Sequence, residues 1–67
     1  ELQIGLTIRE LRREKNLTQE QLASKLCTSQ DTISLWECGK SYPDLPTLVK
    51  IAEIFNISTD YLLGLEA

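Results

Sequence analysis

The stretch Leu17-Thr18-Gln19-Glu20-Gln21-Leu22-Ala23-Ser24-Lys25-Leu26-Cys27-Thr28-Ser29-Gln30-Asp31-Thr32-Ile33-Ser34-Leu35-Trp36-Glu37-Cys38-Gly39 decides the fold. Thr18 followed three residues later by Gln21 is a capping box, in which side chain and backbone satisfy each other at a helix start. Leu22, Ala23 and Leu26 then turn inward at helical spacing, which predicts a short helix ending at about Cys27. Only Cys27-Thr28-Ser29 separates it from a second start, where Ser29 is the natural N-cap. The next helix runs from Gln30 to about Cys38, and Gly39 fills the position just past a helix end. Two helices joined by so short a turn meet at a steep angle, so packing covers one face of the second and leaves a stripe of it bare. Ile33 and Trp36-Glu37 take the inward positions. Gln30, Asp31, Ser34, Leu35 and Cys38 take the outward ones.

Working outward, Ile4, Ile8 and Leu11 follow the spacing of a helix that carries Arg9, Glu10, Arg12, Arg13 and Glu14 on its wider face. It is expected to stop near Lys15-Asn16, because Asn tolerates the left-handed conformation that closes a helix. Downstream, Pro43 forces Tyr42 into an extended conformation. Asp44 caps a fourth helix that accepts Pro46 in its first turn and turns Leu48, Ile51, Ala52 and Phe55 inward. Asn56 ends it. Ser58 caps a last short helix, Thr59 to Leu63, with Asp60 in its first turn and Gly64 behind it. Strand signals are nearly absent. The expectation is an all-α fold of five helices: one domain over residues 1–67, a core over 8–64 and a helix-turn-helix over 19–38.

Composition agrees with one small domain. The chain has 67 residues, 42% of them hydrophobic, which argues against disorder. No apolar run approaches the roughly 20 residues of a membrane span, and the first residues do not read as a signal peptide, so the cytoplasm is the expected compartment. The absence of Met reads as a processed or trimmed chain, with partner domains expected elsewhere. Cys27 and Cys38 form neither a CxxC pair nor a disulfide framework and are expected to be reduced thiols. With no His, no nucleophile beside a base, no paired carboxylates and no phosphate-binding Gly loop, nothing reads as an enzyme. No metal, cofactor or small-molecule ligand is expected.

The residues resemble the Cro/cI (XRE-type) helix-turn-helix repressors. The resemblance is carried by Leu17 to Leu26, by Thr28 to Lys40, by Tyr42-Pro43, by Leu48-Val49-Lys50-Ile51-Ala52 and by the ending Ile57-Ser58-Thr59-Asp60-Tyr61-Leu62-Leu63-Gly64. It implies a lambda-repressor-like DNA-binding domain of a transcriptional regulator, acting as a homodimer on a two-fold operator in double-stranded DNA. Half-sites would lie about 34–36 Å apart.

The resemblance also implies roles. Gln19 would bond a phosphate and buttress the recognition helix, consistent with the positive end of the helix dipole. Gln30 and Asp31 would touch base edges, and Gln30 suits adenine. For Asp31 two readings stand: acceptor from a cytosine amino group, or dipole and capping partner in a first turn. Ser29 is first an N-cap and secondarily a phosphate contact, and Ser34 touches base or phosphate with little specificity. Lys40 and Ser41 would hold the DNA backbone. Arg12 and Glu37 match a structural salt bridge from the first helix to the end of the recognition helix, the alternative being that Arg12 joins the solvated face. Trp36 belongs to the core. Tyr61, Leu62 and Leu65 are the dimer candidates, with closure of the core as the alternative use for them.

Three residues depart from the pattern. Cys27 stands where Gly is usual, so a left-handed conformation there is expected to cost about 1 kcal/mol or more. Leu35 stands where Gln, Arg or Lys is common, and either touches a thymine methyl or lowers affinity. Cys38 replaces a phosphate-bonding Asn or Arg. The recognition helix therefore lacks any Lys or Arg, and guanine readout through it is not expected. A protein-interaction or antitoxin-like module of the same fold with weak DNA affinity is the competing reading. The formal charge of −3 favours it at first. However, residues 1–40 hold six basic and six acidic groups, whereas 41–67 hold Lys50 against Asp44, Glu53, Asp60 and Glu66. The acidity lies outside the helix-turn-helix. It predicts modest non-specific affinity and a need for dimerisation.

Overall fold

Local start and stop signals set most of the architecture of residues 3–65, the part described by this computed structural model. Five helices follow one another: α1 (Ile4–Glu14), α2 (Gln19–Lys25), α3 (Gln30–Glu37), α4 (Leu45–Phe55) and α5 (Thr59–Leu63). No strand occurs among the described residues. Glu1, Leu2, Glu66 and Ala67 lie outside them, and with them the ends of the 1–67 domain and two of the acidic groups counted above.

Four of the five starts are capped by a side chain. Thr18 accepts from the Gln21 N–H at 3.0 Å while Gln21 Oε1 accepts from the Thr18 N–H at 2.8 Å, the complete capping box. Ser29, Asp44 and Ser58 accept from the N–H groups of Thr32, Thr47 and Tyr61 at 3.3, 3.0 and 3.0 Å. α1 alone begins without such a bond.

All five ends close in one way. A left-handed residue follows each helix: Asn16, Cys27, Gly39, Asn56 and Gly64. The next N–H then reaches back across the turn, as in Thr28 to Ala23 O at 2.9 Å and Lys40 to Leu35 O at 2.9 Å. This is the Schellman closure, which satisfies carbonyls the helix leaves open. α2 and α3 end two residues and one residue earlier than expected, because Cys27 takes the left-handed closing position after α2 and Cys38 is the cap residue ahead of Gly39 after α3.

The core gathers Ile4, Ile8 and Leu11 of α1, Leu22 and Ala23 of α2 with Leu26, Ile33 and Trp36 of α3, Leu48, Ile51 and Phe55 of α4, and Leu62 of α5. Ile4 is buried with Ile8 and Leu11, as their helical spacing predicts, and Gly5 is buried beside it. Gly5 is where α1 lies against the end of α3. A Cβ there would collide with the Trp36 carbonyl oxygen and lie 3.2 Å from the Glu37 Cα. Only a glycine lets the two backbones approach so closely.

Candidate nucleic-acid interface

Packing of α3 against α2 and α1 buries Ile33 and Trp36 and leaves the opposite face of α3 outward. Gln30, Asp31, Leu35 and Cys38 are exposed there, and Ser34 is half-buried. Eight residues make α3 about 12 Å long, about the width of a DNA major groove. Ser29, at the tip, is exposed, and its hydroxyl lies 2.9 Å from the Thr32 hydroxyl as well as accepting the capping bond. Thr32 was not singled out from the sequence, since hydroxyl pairing across a first helical turn has no signature of its own. Lys40 is exposed and Ser41 half-buried in the loop after α3, where Lys40 N–H closes the helix. Gln19 is half-buried at the first position of α2.

Beneath this face runs a polar relay. Arg12 donates from Nε to Glu37 Oε2 at 2.7 Å and from Nη2 to Glu37 Oε1 at 3.1 Å, a two-pronged ion pair between α1 and the end of α3. Its third arm, Nη1, donates to the Leu17 carbonyl at 2.8 Å and so pins the turn between α1 and α2. The side chains are 12% and 5% exposed, so Arg12 does not belong to the solvated face of its helix. Glu37 Oε1 also accepts from Gln19 Nε2 at 3.1 Å, and Gln19 Oε1 in turn accepts from Gln30 Nε2 at 3.4 Å.

The direction of this chain is dictated by its charged end. A carboxylate only accepts, so Gln19 must meet it with its amino group, which leaves the Gln19 carbonyl facing Gln30. Gln30 must then donate to Gln19 as well. Both amide orientations thus follow from Glu37. Burial pushes the Glu37 carboxyl up, but the hydrogen bonds from Arg12 and Gln19 and the charges of Arg12 and Arg9 outweigh it and hold the group below its ordinary range. Arg12 is raised, chiefly by its hydrogen bond to Glu37. The Gln19–Glu37 bond was not legible in the sequence, because it joins residues from two helices that only the packed turn brings together.

The proposed dimer residues divide. Tyr61 and Leu65 are 44% and 74% exposed, whereas Leu62 is fully buried in the core. Leu62 therefore cannot serve a dimer face. An α5 of five residues is too short for spacing alone to show which of its apolar side chains turns inward. Cys27 and Cys38 are free and exposed. Among the described residues no group of His, Cys, Asp or Glu is arranged to hold a metal ion, and no helix is long and apolar enough to cross a membrane.

A helix-turn-helix family model matches residues 8–62. The HTH-type transcriptional activator BcrR of Enterococcus faecalis is 48% identical over 57 residues, 85% of this chain and 28% of that protein. The HTH-type transcriptional regulator ImmR of Bacillus subtilis is 36% identical over 63 residues, 94% of this chain and 50% of that one. The chain thus spans half or less of these two relatives. Among solved structures, a transcriptional regulator from Listeria innocua superposes with a TM-score of 0.92 at 27% identity, over all of this chain and 63% of that one. The P22 c2 repressor, solved in complex with a synthetic operator, superposes with a TM-score of 0.87 at 28% identity, over 94% of this chain and 96% of that one.

Proposed function

This chain belongs to the XRE-type (Cro/cI-like) helix-turn-helix family of DNA-binding transcription regulators, and from that membership we propose that it binds double-stranded operator DNA through α3 laid in the major groove. The observation that carries this reading is the relay from Arg12 through Glu37 and Gln19 to Gln30. It presents an oriented amide at the exposed tip of α3, and a polar side chain held this way is useful chiefly to a partner with matching donors and acceptors. Gln30, Asp31, Ser34 and Leu35 face the bases; Gln19, Ser29, Lys40 and Ser41 face the phosphates. The resemblance to a repressor solved on an operator supports that arrangement.

A homodimer is part of the proposal. Tyr61, which lines a hollow with Leu11, Glu14, Ile57 and Ser58, and the exposed Leu65 supply its apolar surface. The reading places the regulator in the cytoplasm, where its DNA is, and gives it no catalytic role. Selection of bound sequences from a random duplex pool tests it. A recovered two-fold motif, with affinity falling as salt rises, is the expected result. Failure to enrich any duplex, together with salt-independent binding to protein, would replace it with the interaction-module reading.

A further inference from the structure

The outer face of α3 carries enough chemistry to specify bases, and we infer that Asp31 makes this chain a reader of cytosine next to an adenine read by Gln30. The inference rests on the DNA-binding reading above and sharpens it.

Gln30 sets the first position. One of its two Nε2 hydrogens is committed to Gln19 Oε1. The second hydrogen and the Oε1 acceptor remain, and that donor–acceptor pair matches the N7 and N6 of adenine in the major groove. The amide cannot turn over to suit another base without losing Gln19, whose own orientation is held by Glu37.

Asp31 follows on the same exposed turn. The first turn of α3 is already capped by Ser29, which accepts from the Thr32 N–H at 3.3 Å. Among the described residues the Asp31 carboxylate makes no hydrogen bond or ion pair, unlike Asp44, which bonds the Thr47 N–H at 3.0 Å. The capping alternative is therefore filled by another residue. In the major groove a carboxylate finds one edge that offers only a donor, the N4 amino group of cytosine. Guanine N7 and O6, adenine N7 and thymine O4 are acceptors and repel it. Asp31 thus acts by exclusion as much as by attraction. Nothing on α3 offsets this repulsion, because the helix holds no Lys or Arg. Leu35, one turn further on and 44% exposed, supplies the apolar contact that a thymine methyl takes. The half-site read by α3 is thus an adenine and a cytosine on neighbouring base pairs with a thymine beyond, and no guanine is read directly by this helix.

The test is selection from a random duplex pool with the wild-type chain, Asp31→Ala and Asp31→Asn, followed by affinities on the recovered site and on its variants at the cytosine position. Asp31→Ala is expected to bind the cytosine site about ten-fold more weakly and the three other sites more tightly, flattening preference at that position alone. Asp31→Asn is expected to move the preference there from cytosine toward adenine. The adenine neighbour stays selected in all three. Uniform weakening of every site by Asp31→Ala would overturn the inference and return Asp31 to a helix-stabilising role, and so would a recovered motif lacking cytosine. Failure of the wild-type chain to enrich any duplex would instead overturn the DNA-binding reading, and the inference with it. Thermal unfolding of each variant separates lost contacts from lost fold.

Discussion

Glu37 does three things with one carboxylate. It neutralises Arg12 between α1 and α3, fixes the orientation of Gln19, and through Gln19 orients Gln30. Removing its charge strands a guanidinium that is largely out of water, so Glu37→Gln is expected to cost on the order of 3 kcal/mol in chemical denaturation. The pH dependence has a definite sign. Because the folded carboxyl sits below its ordinary value of 4.5, its contribution is complete above that pH and lost as pH falls through the depressed folded value. The gap between wild type and Glu37→Gln should therefore be flat from neutral pH to about 5 and close at lower pH. A gap that stayed constant into strong acid would remove the ionised pair from the account. Arg12 and Glu37 could be paired on the resemblance to a known family, and the ion pair is present. The amide relay could not, because hydrogen-bond direction depends on three helices at once.

At the scale of elements, helix ends were the most legible feature and helix contacts the least. Thr18, Ser29, Asp44 and Ser58 announce their helices because a cap bonds within three residues of itself. The closures at Asn16, Asn56, Gly39 and Gly64 are equally local, and each is held by a residue that accepts positive φ at little cost. Cys27 is the exception: it adopts φ 57° in the turn of the helix-turn-helix with no such tolerance. Cys27→Gly is expected to raise stability by about 1 kcal/mol, read from the denaturation midpoint, since the exposed thiol side chain loses little packing. No gain would mean that the turn carries no strain. Gly5 shows the opposite limit. Nothing local distinguishes it from a weak helix residue, yet its missing Cβ leaves room for the Trp36 carbonyl, which itself accepts the closing bond from Gly39 at 3.1 Å. Gly5→Ala, helix-favouring in isolation, is expected to destabilise by about 3 kcal/mol or more, because backbone and not a side-chain tip must move. The same limit explains Leu62, whose burial depends on how α5 lies on α1 and α4.

For the whole molecule, the distribution of charge bears directly on the proposed dimer. The acidic surplus lies beyond residue 40, while α3 itself offers DNA no cation and Lys40 stands just past it. On the proposed reading one subunit is expected to hold DNA weakly, with tight binding requiring two half-sites engaged at once. Replacing Tyr61 with Ser and Leu65 with Asp is expected to abolish cooperative occupancy of a two-fold site, while a single half-site is bound as before and the fold is kept, as followed by sedimentation and mobility shift. Unchanged cooperativity would move the dimer face elsewhere. Leu62 cannot be used for this purpose, since its substitution empties part of the core.

In the proposed complex α3 reads bases while the loop after it grips the backbone. This arrangement is tested most directly by measuring affinities for every single-base variant of the selected operator with the wild-type chain, Gln30→Ala and Lys40→Ala. Gln30→Ala is expected to level the preference at one base pair per half-site and to leave the salt dependence intact. Lys40→Ala should weaken all variants alike and lower the log–log salt slope by about one per bound subunit. Equal losses across all variants in both mutants, with the base preferences unmoved, would contradict this arrangement.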